Sequence, residues 1–94
     1  MVIKTTRWDG AEYLDSPEAI AAYLEAAFED GDPKVIAHAL GTVARAKGIG
    51  KIAKDAGVTR AGLYKALSAD GDPRLTTLLG VLKSLGLTVT VHPA

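Results

Sequence analysis

Apolar side chains recur at helical spacing along most of the chain, and Pro and Gly residues punctuate the segments between them. Over 17–30, Ile20, Leu24, Ala27 and Phe28 fall at i, i+4, i+7 and i+8, one stripe that predicts an amphipathic helix. A second helix is expected over 33–47, with Ile36, Leu40, Val43 and Ala44 as its stripe. Two short helices follow, over 50–56 with Ile52, Ala53 and Ala56 inward and over 60–67 with Leu63 and Leu67 inward. A fifth, over 73–85, turns Leu75, Leu78, Leu79, Leu82 and Leu85 toward the core. Ser16-Pro17, Asp32-Pro33 and Asp72-Pro73 each place a capping oxygen before a proline at the first helical position, where the missing N–H has no partner to lose. Thr59 caps the fourth helix, Gly57 breaks the third, and Gly31, Gly48 and Gly86 close the first, second and fifth.

Near the C-terminal end the period changes. Leu87-Thr88-Val89-Thr90-Val91 alternates at period two, is rich in β-branched residues and stops at His92-Pro93, which predicts a strand over 87–91. A lone strand leaves its backbone donors and acceptors unpaired, so it needs an edge. Residues 1–8 offer one of weaker pattern; pairing with a second copy across a two-fold axis, through Leu87, Val89 and Val91, is favoured. The expected architecture is mainly α: a five-helix domain with a short C-terminal β-strand paired across a dimer.

Ninety-four residues suit one domain spanning 1–94, and 48% apolar with 23% charged residues argues against disorder. The absence of cysteine excludes disulfides, thiolate metal sites and a cysteine nucleophile, and fits a reducing compartment. No apolar run reaches the roughly 20 residues of a membrane span, and MVIKTTRWDG lacks the apolar stretch of a signal peptide, so a cytoplasmic chain is expected.

The formal net charge of zero conceals a division. Residues 1–33 hold two basic against eight acidic residues, a balance of −6, and 34–94 hold nine basic against three acidic, a balance of +6. Each half generates a local field that the total hides, which suggests two partners of opposite sign or a self-complementary surface.

The segment 49–68, IGKIAKDAGVTRAGLYKALS, meets the requirements of a helix-turn-helix. Ala53 is the small residue at the crossing, Gly57 suits the turn, and Ile52, Ala56, Val58 and Leu63 lock the pair. The second helix then presents Thr59, Arg60, Ala61, Tyr64, Lys65 and Ser68 to a major groove. Arg60 is suited to a bidentate contact with guanine or to a phosphate, and Thr59 to capping first and phosphate second. Tyr64 suits a thymine methyl, a phosphate or a packing role, and Lys51, Lys54 and Lys65 are phosphate candidates. Arg45, Lys47, Lys51, Lys54, Arg60 and Lys65 stand against the single acid Asp55 in 45–65, so the basic half of the chain coincides with this motif. Gly62 runs against it, since a glycine inside a helix costs about 0.5–1 kcal/mol relative to alanine.

Catalytic patterns are weak by comparison. His38 and His92 lie far apart with no HxxxH partner, the glycines at 48–50 complete neither a dinucleotide fingerprint nor a P-loop, and no serine sits in a nucleophile elbow. No enzyme activity, metal or cofactor is expected.

Three stretches, AEYLDSPEAIAAYLEAAFEDGDP at 11–33, IAHALGTVARAKGI at 36–49 and IAKDAGVTRAGLYKALSADGDPRLTTLLGVLKSLGLTV at 52–89, carry a wider likeness. With them the chain resembles the HigA-like addiction-module antidote proteins, a branch of the Cro/phage-repressor-type helix-turn-helix superfamily. The resemblance implies an antitoxin that binds a RelE/HigB-like toxin and represses the shared operon as a dimer or a complex. Such toxins are typically basic, so the acidic segment 1–33 becomes the expected docking surface, with Trp8, Tyr13 and Tyr23 as anchors beside Glu25 and Glu29. A free-standing phage-type repressor without a toxin is the alternative, and a helical adaptor that binds protein alone is a third reading.

Overall fold

Three of the five described helices begin where a side-chain oxygen meets an orphan backbone donor. In the computed structural model, which describes residues 14–68 and 70–94, the elements are α1 (Pro17–Asp30), α2 (Pro33–Lys47), α3 (Ile49–Ala56), α4 (Arg60–Ala66) and α5 (Leu75–Ser84). The Ser16 hydroxyl accepts from the Ala19 N–H at 3.1 Å, the Asp32 carboxylate from the Lys34 N–H at 2.9 Å, and the Thr59 hydroxyl from the Gly62 N–H at 2.9 Å. Gly31 ends α1 and Gly57 ends α3 in the left-handed region, with φ of 81° and 77°, a conformation that other residues adopt only with strain.

The helices stack in a chain of contacts: α1 packs on α2, α2 on α3, and α3 on both α4 and α5. Leu40 and Val43 of α2, Ile52 of α3, Leu63 and Leu67 at α4 and Val81 of α5 are fully buried where these elements meet. Leu14, Ile20 and Leu24 extend the same core beneath α1, and Tyr23 is half-buried against it. Two glycines set the closest approaches. A Cβ on Gly41 would stand 2.6 Å from the Leu67 carbonyl oxygen, so α2 and the end of α4 meet backbone to backbone. A Cβ on Gly80 would stand 3.0 Å from the Ala56 Cα, so α5 also lies close on α3.

Several sequence expectations need correction. Phe28 is 40% exposed, because it lies at the margin of the α1 stripe that Ile20, Leu24 and Ala27 define. Leu75 and Leu79 are 67% and 46% exposed instead of buried. The physical reason is the side of α5 that faces α3: Thr77 is buried, Gly80 abuts Ala56, and Ser84 bonds to Asp55, so the helix is turned with its small residues inward and these two leucines outward. The Asp72-Pro73 cap does not form; α5 starts after Arg74, without a side-chain cap, because Gly71 folds back against the carbonyl of Ala66 and commits the preceding residues to a turn. Residues 87–91 form no strand in the protomer. Leu87 packs against the core, while Val89 and Val91 are exposed and find no backbone partner among the described residues. The alternative edge at 1–8 lies outside the described residues.

Candidate nucleic-acid interface

The α3–α4 pair is built from local rules. Gly57 supplies the left-handed turn that an L side chain would strain, and its N–H returns to the carbonyl of Lys54 at 3.2 Å. Val58 follows, its N–H bonded to the Ala53 carbonyl at 3.0 Å, and Thr59 then caps α4. Ile52 and Ala53 from α3 and Leu63 from α4 point into the core, and Ala56 and Val58 pack against it, so the two helices hold one orientation. With Leu63 and Leu67 inward and Ala66 half-buried, the remaining positions of α4 face solvent.

All the side chains singled out for nucleic acid are exposed: Lys51, Lys54, Thr59, Arg60, Ala61, Tyr64, Lys65 and Ser68. They are not equally free. The Lys51 ammonium donates to the Asp55 carboxylate at 2.9 Å, and Ser68 donates to the Lys65 carbonyl at 2.8 Å, which closes the end of α4. The Thr59 hydroxyl is engaged as a cap, in keeping with its first expected role. Tyr64 is 51% exposed, so its ring does not complete the core.

Two pairings escaped the sequence reading because they join residues distant in the chain. Asp55 accepts from the Ser84 hydroxyl at 2.7 Å as well as from Lys51, and these two bonds hold its carboxyl below the ordinary value of 3.8. The single acid within the basic segment therefore latches α3 to α5. Arg45, at the end of α2, lies over the Tyr64 ring, 6.0 Å from its centroid. Its only sequence signal was membership of the basic cluster.

Elsewhere on the molecule, Glu25 and Glu29 project from α1 into solvent, whereas Tyr23 turns toward the core. Trp8 and Tyr13 lie outside the described residues. Among the described residues, no three His, Cys, Asp or Glu side chains converge to hold a metal ion, and no helix is long and apolar enough to cross a membrane.

Exposed basic side chains on α3 and α4 and exposed carboxylates on α1 thus surround one small helical core. A family model described as probable addiction module antidote protein matches residues 4–93, and the chain belongs to that family. It is also similar to an uncharacterized protein of Haemophilus influenzae (strain ATCC 51907 / DSM 11121 / KW20 / Rd), 44% identical over 85 residues that cover 90% of this chain and 88% of that protein. No solved structure matches. The family assigns an antitoxin role in an addiction module and, with it, a toxin partner of unspecified type.

Proposed function

We propose that this antidote neutralises a RelE/HigB-like toxin by direct binding and represses its own operon by sequence-specific DNA binding. In this reading it acts as a cytoplasmic homodimer of the HigA-like, Cro/phage-repressor-type helix-turn-helix fold. The observation that carries the DNA half is the exposure of the basic outer face of α3 and α4, fixed in orientation by buried Ile52, Ala53 and Leu63. Arg60 and Tyr64 read base edges or methyl groups there, and Lys54 and Lys65 hold phosphates. Lys51 reaches phosphate by exchanging its Asp55 partner, and Thr59, Ala61 and Ser68 complete the surface.

The toxin docks on the acidic outer side of α1, at Glu25 and Glu29, where charge complementarity to a basic protein speeds encounter. Dimerisation runs through 87–91. Exposed Val89 and Val91, on a segment whose alternation suits a strand, support pairing with the same segment of a second copy. Two recognition helices would then address half-sites about 34 Å apart.

The test has two arms. A mobility-shift assay uses the duplex upstream of the chain's own reading frame against a shuffled duplex, and co-expression with the adjacent reading frame is scored for growth rescue. Rescue with no operator preference removes the repressor half. Operator preference without rescue leaves a free-standing phage-type repressor. The double charge reversal Glu25→Lys, Glu29→Lys is expected to abolish rescue while leaving DNA binding intact; unchanged toxin affinity overturns the assigned docking surface.

A further inference from the structure

We propose that Arg45, which belongs to α2 and not to the helix pair, is the positioning residue for Tyr64 and thereby sets sequence discrimination at the α4 surface. This rests on the reading of that surface as a DNA interface. The argument begins with an exposed ring. Tyr64 is 51% exposed on α4, and an aromatic side chain free to change rotamer presents several shapes to a groove and so discriminates poorly between bases.

The structure restrains this ring from one side. Gly41 lets α2 approach the end of α4 so closely that its absent Cβ would collide with the Leu67 carbonyl. Arg45 lies one turn beyond Gly41 on α2, and Tyr64 one turn before Leu67 on α4, so the backbone approach at Gly41 brings the two side chains side by side. The guanidinium stands 6.0 Å from the ring centroid, at the outer limit of the range over which a cation is drawn to the electron-rich face of an aromatic ring. Arg45 is itself tethered. Its Nη2 donates to the Thr42 hydroxyl at 3.5 Å, and that hydroxyl donates to the His38 carbonyl at 3.1 Å. The cation is thus bonded within α2 and lies to one side of a ring whose residue stays 51% exposed. A lysine ammonium is also attracted to a ring, but it lacks the rigid planar fork with which the guanidinium bonds Thr42 and faces Tyr64 at once, so it does not hold the ring in one place.

The proposal separates shape from charge, and so does its test. The own-promoter duplex and a shuffled duplex of equal length are titrated with wild type, Arg45→Lys, Arg45→Ala, Tyr64→Ala and the double variant Arg45→Ala/Tyr64→Ala, each over a range of salt. Arg45→Lys is expected to keep the salt slope and lose about threefold in preference for the promoter duplex, the scale of one exposed cation–π contact. Arg45→Ala is expected to lose preference in the wild-type background and none in the Tyr64→Ala background. Proton NMR of the free protein supplies a readout without DNA: the Arg45 side-chain protons should carry ring-current shifts that vanish in Tyr64→Ala.

Full preference in Arg45→Lys, additive losses in the double variant, or absent ring-current shifts overturn the positioning role. A wild type that shows no preference for the promoter duplex overturns the DNA reading itself and this proposal with it. Preference in wild type that is unmoved in every Arg45 variant overturns this proposal alone.

Discussion

The close approach of α2 to the end of α4 is directly testable. Replacing Gly41 by alanine puts a methyl 2.6 Å from the Leu67 carbonyl oxygen and 3.1 Å from a guanidinium nitrogen of Arg45. Carbon–oxygen contacts in proteins settle near about 3.3–3.6 Å, so α2 and the end of α4 must separate by roughly 0.7 Å or more. The obstructing atom is backbone, which no rotamer change can move. Overpacking of this kind costs about 1–3 kcal/mol, and removing a glycine from a helix interior returns about 1 kcal/mol. The difference is a loss of about 0–2 kcal/mol, and because the obstruction is backbone the upper half of that range, about 1–2 kcal/mol, is expected. Urea denaturation followed by circular dichroism should show a lower midpoint at unchanged slope, and a melting temperature lower by about 4–8 °C per kcal/mol. Gly50→Ala is the internal control: a Cβ there meets nothing within 4 Å and the backbone is not left-handed, so a gain of about 0.5 kcal/mol is expected. A Gly41→Ala protein as stable as wild type, beside a Gly50→Ala protein that behaves as stated, would refute the close approach of α2 to α4.

Other outcomes follow from individual bonds. Thr59→Ala removes the α4 cap and should lower stability by about 1 kcal/mol in the same urea assay, with Thr59→Ser restoring most of it. The folded-state pKa of Asp55 is depressed, so its contribution is complete above the ordinary value of 3.8 and is lost as pH falls below that through the folded pKa; Asp55→Asn should flatten this acid limb in a pH series of melts. Lys54→Ala and Lys65→Ala should each reduce the slope of log affinity against log salt by about one for both promoter and shuffled duplexes, and an unchanged slope in both removes them from the interface.

Helix positions were legible because their signals are local: a capping oxygen, a proline at the first turn and a left-handed glycine act within a few residues of one another. Inward faces were legible only where the partner lies centrally beneath the stripe. Ile20 and Leu24 met that condition; Phe28 at the stripe's margin did not. For α5 the rotation is chosen by α3, through Gly80 against Ala56 and Ser84 against Asp55, and leucine spacing alone misassigned Leu75 and Leu79. The outward set on α4 was readable because burying Leu63 and Leu67 leaves few other orientations. Arg45 over Tyr64 was not readable, since it depends on a backbone contact between helices distant in sequence. The same holds for the Asp55–Ser84 bond, which spans 29 residues.

The acidic helix leans on α2, and the cationic pair is steadied by α2 on one flank and by α5 on another. In the proposed arrangement, with toxin on α1 and operator on α4, one rod would separate two recognition duties. Mutation on the outer side of α1 would then follow a changing toxin without disturbing how an operator is grasped, and mutation along α4 would follow a drifting promoter without loosening the grip on the toxin. A chain built that way would be free to exchange one specificity at a time.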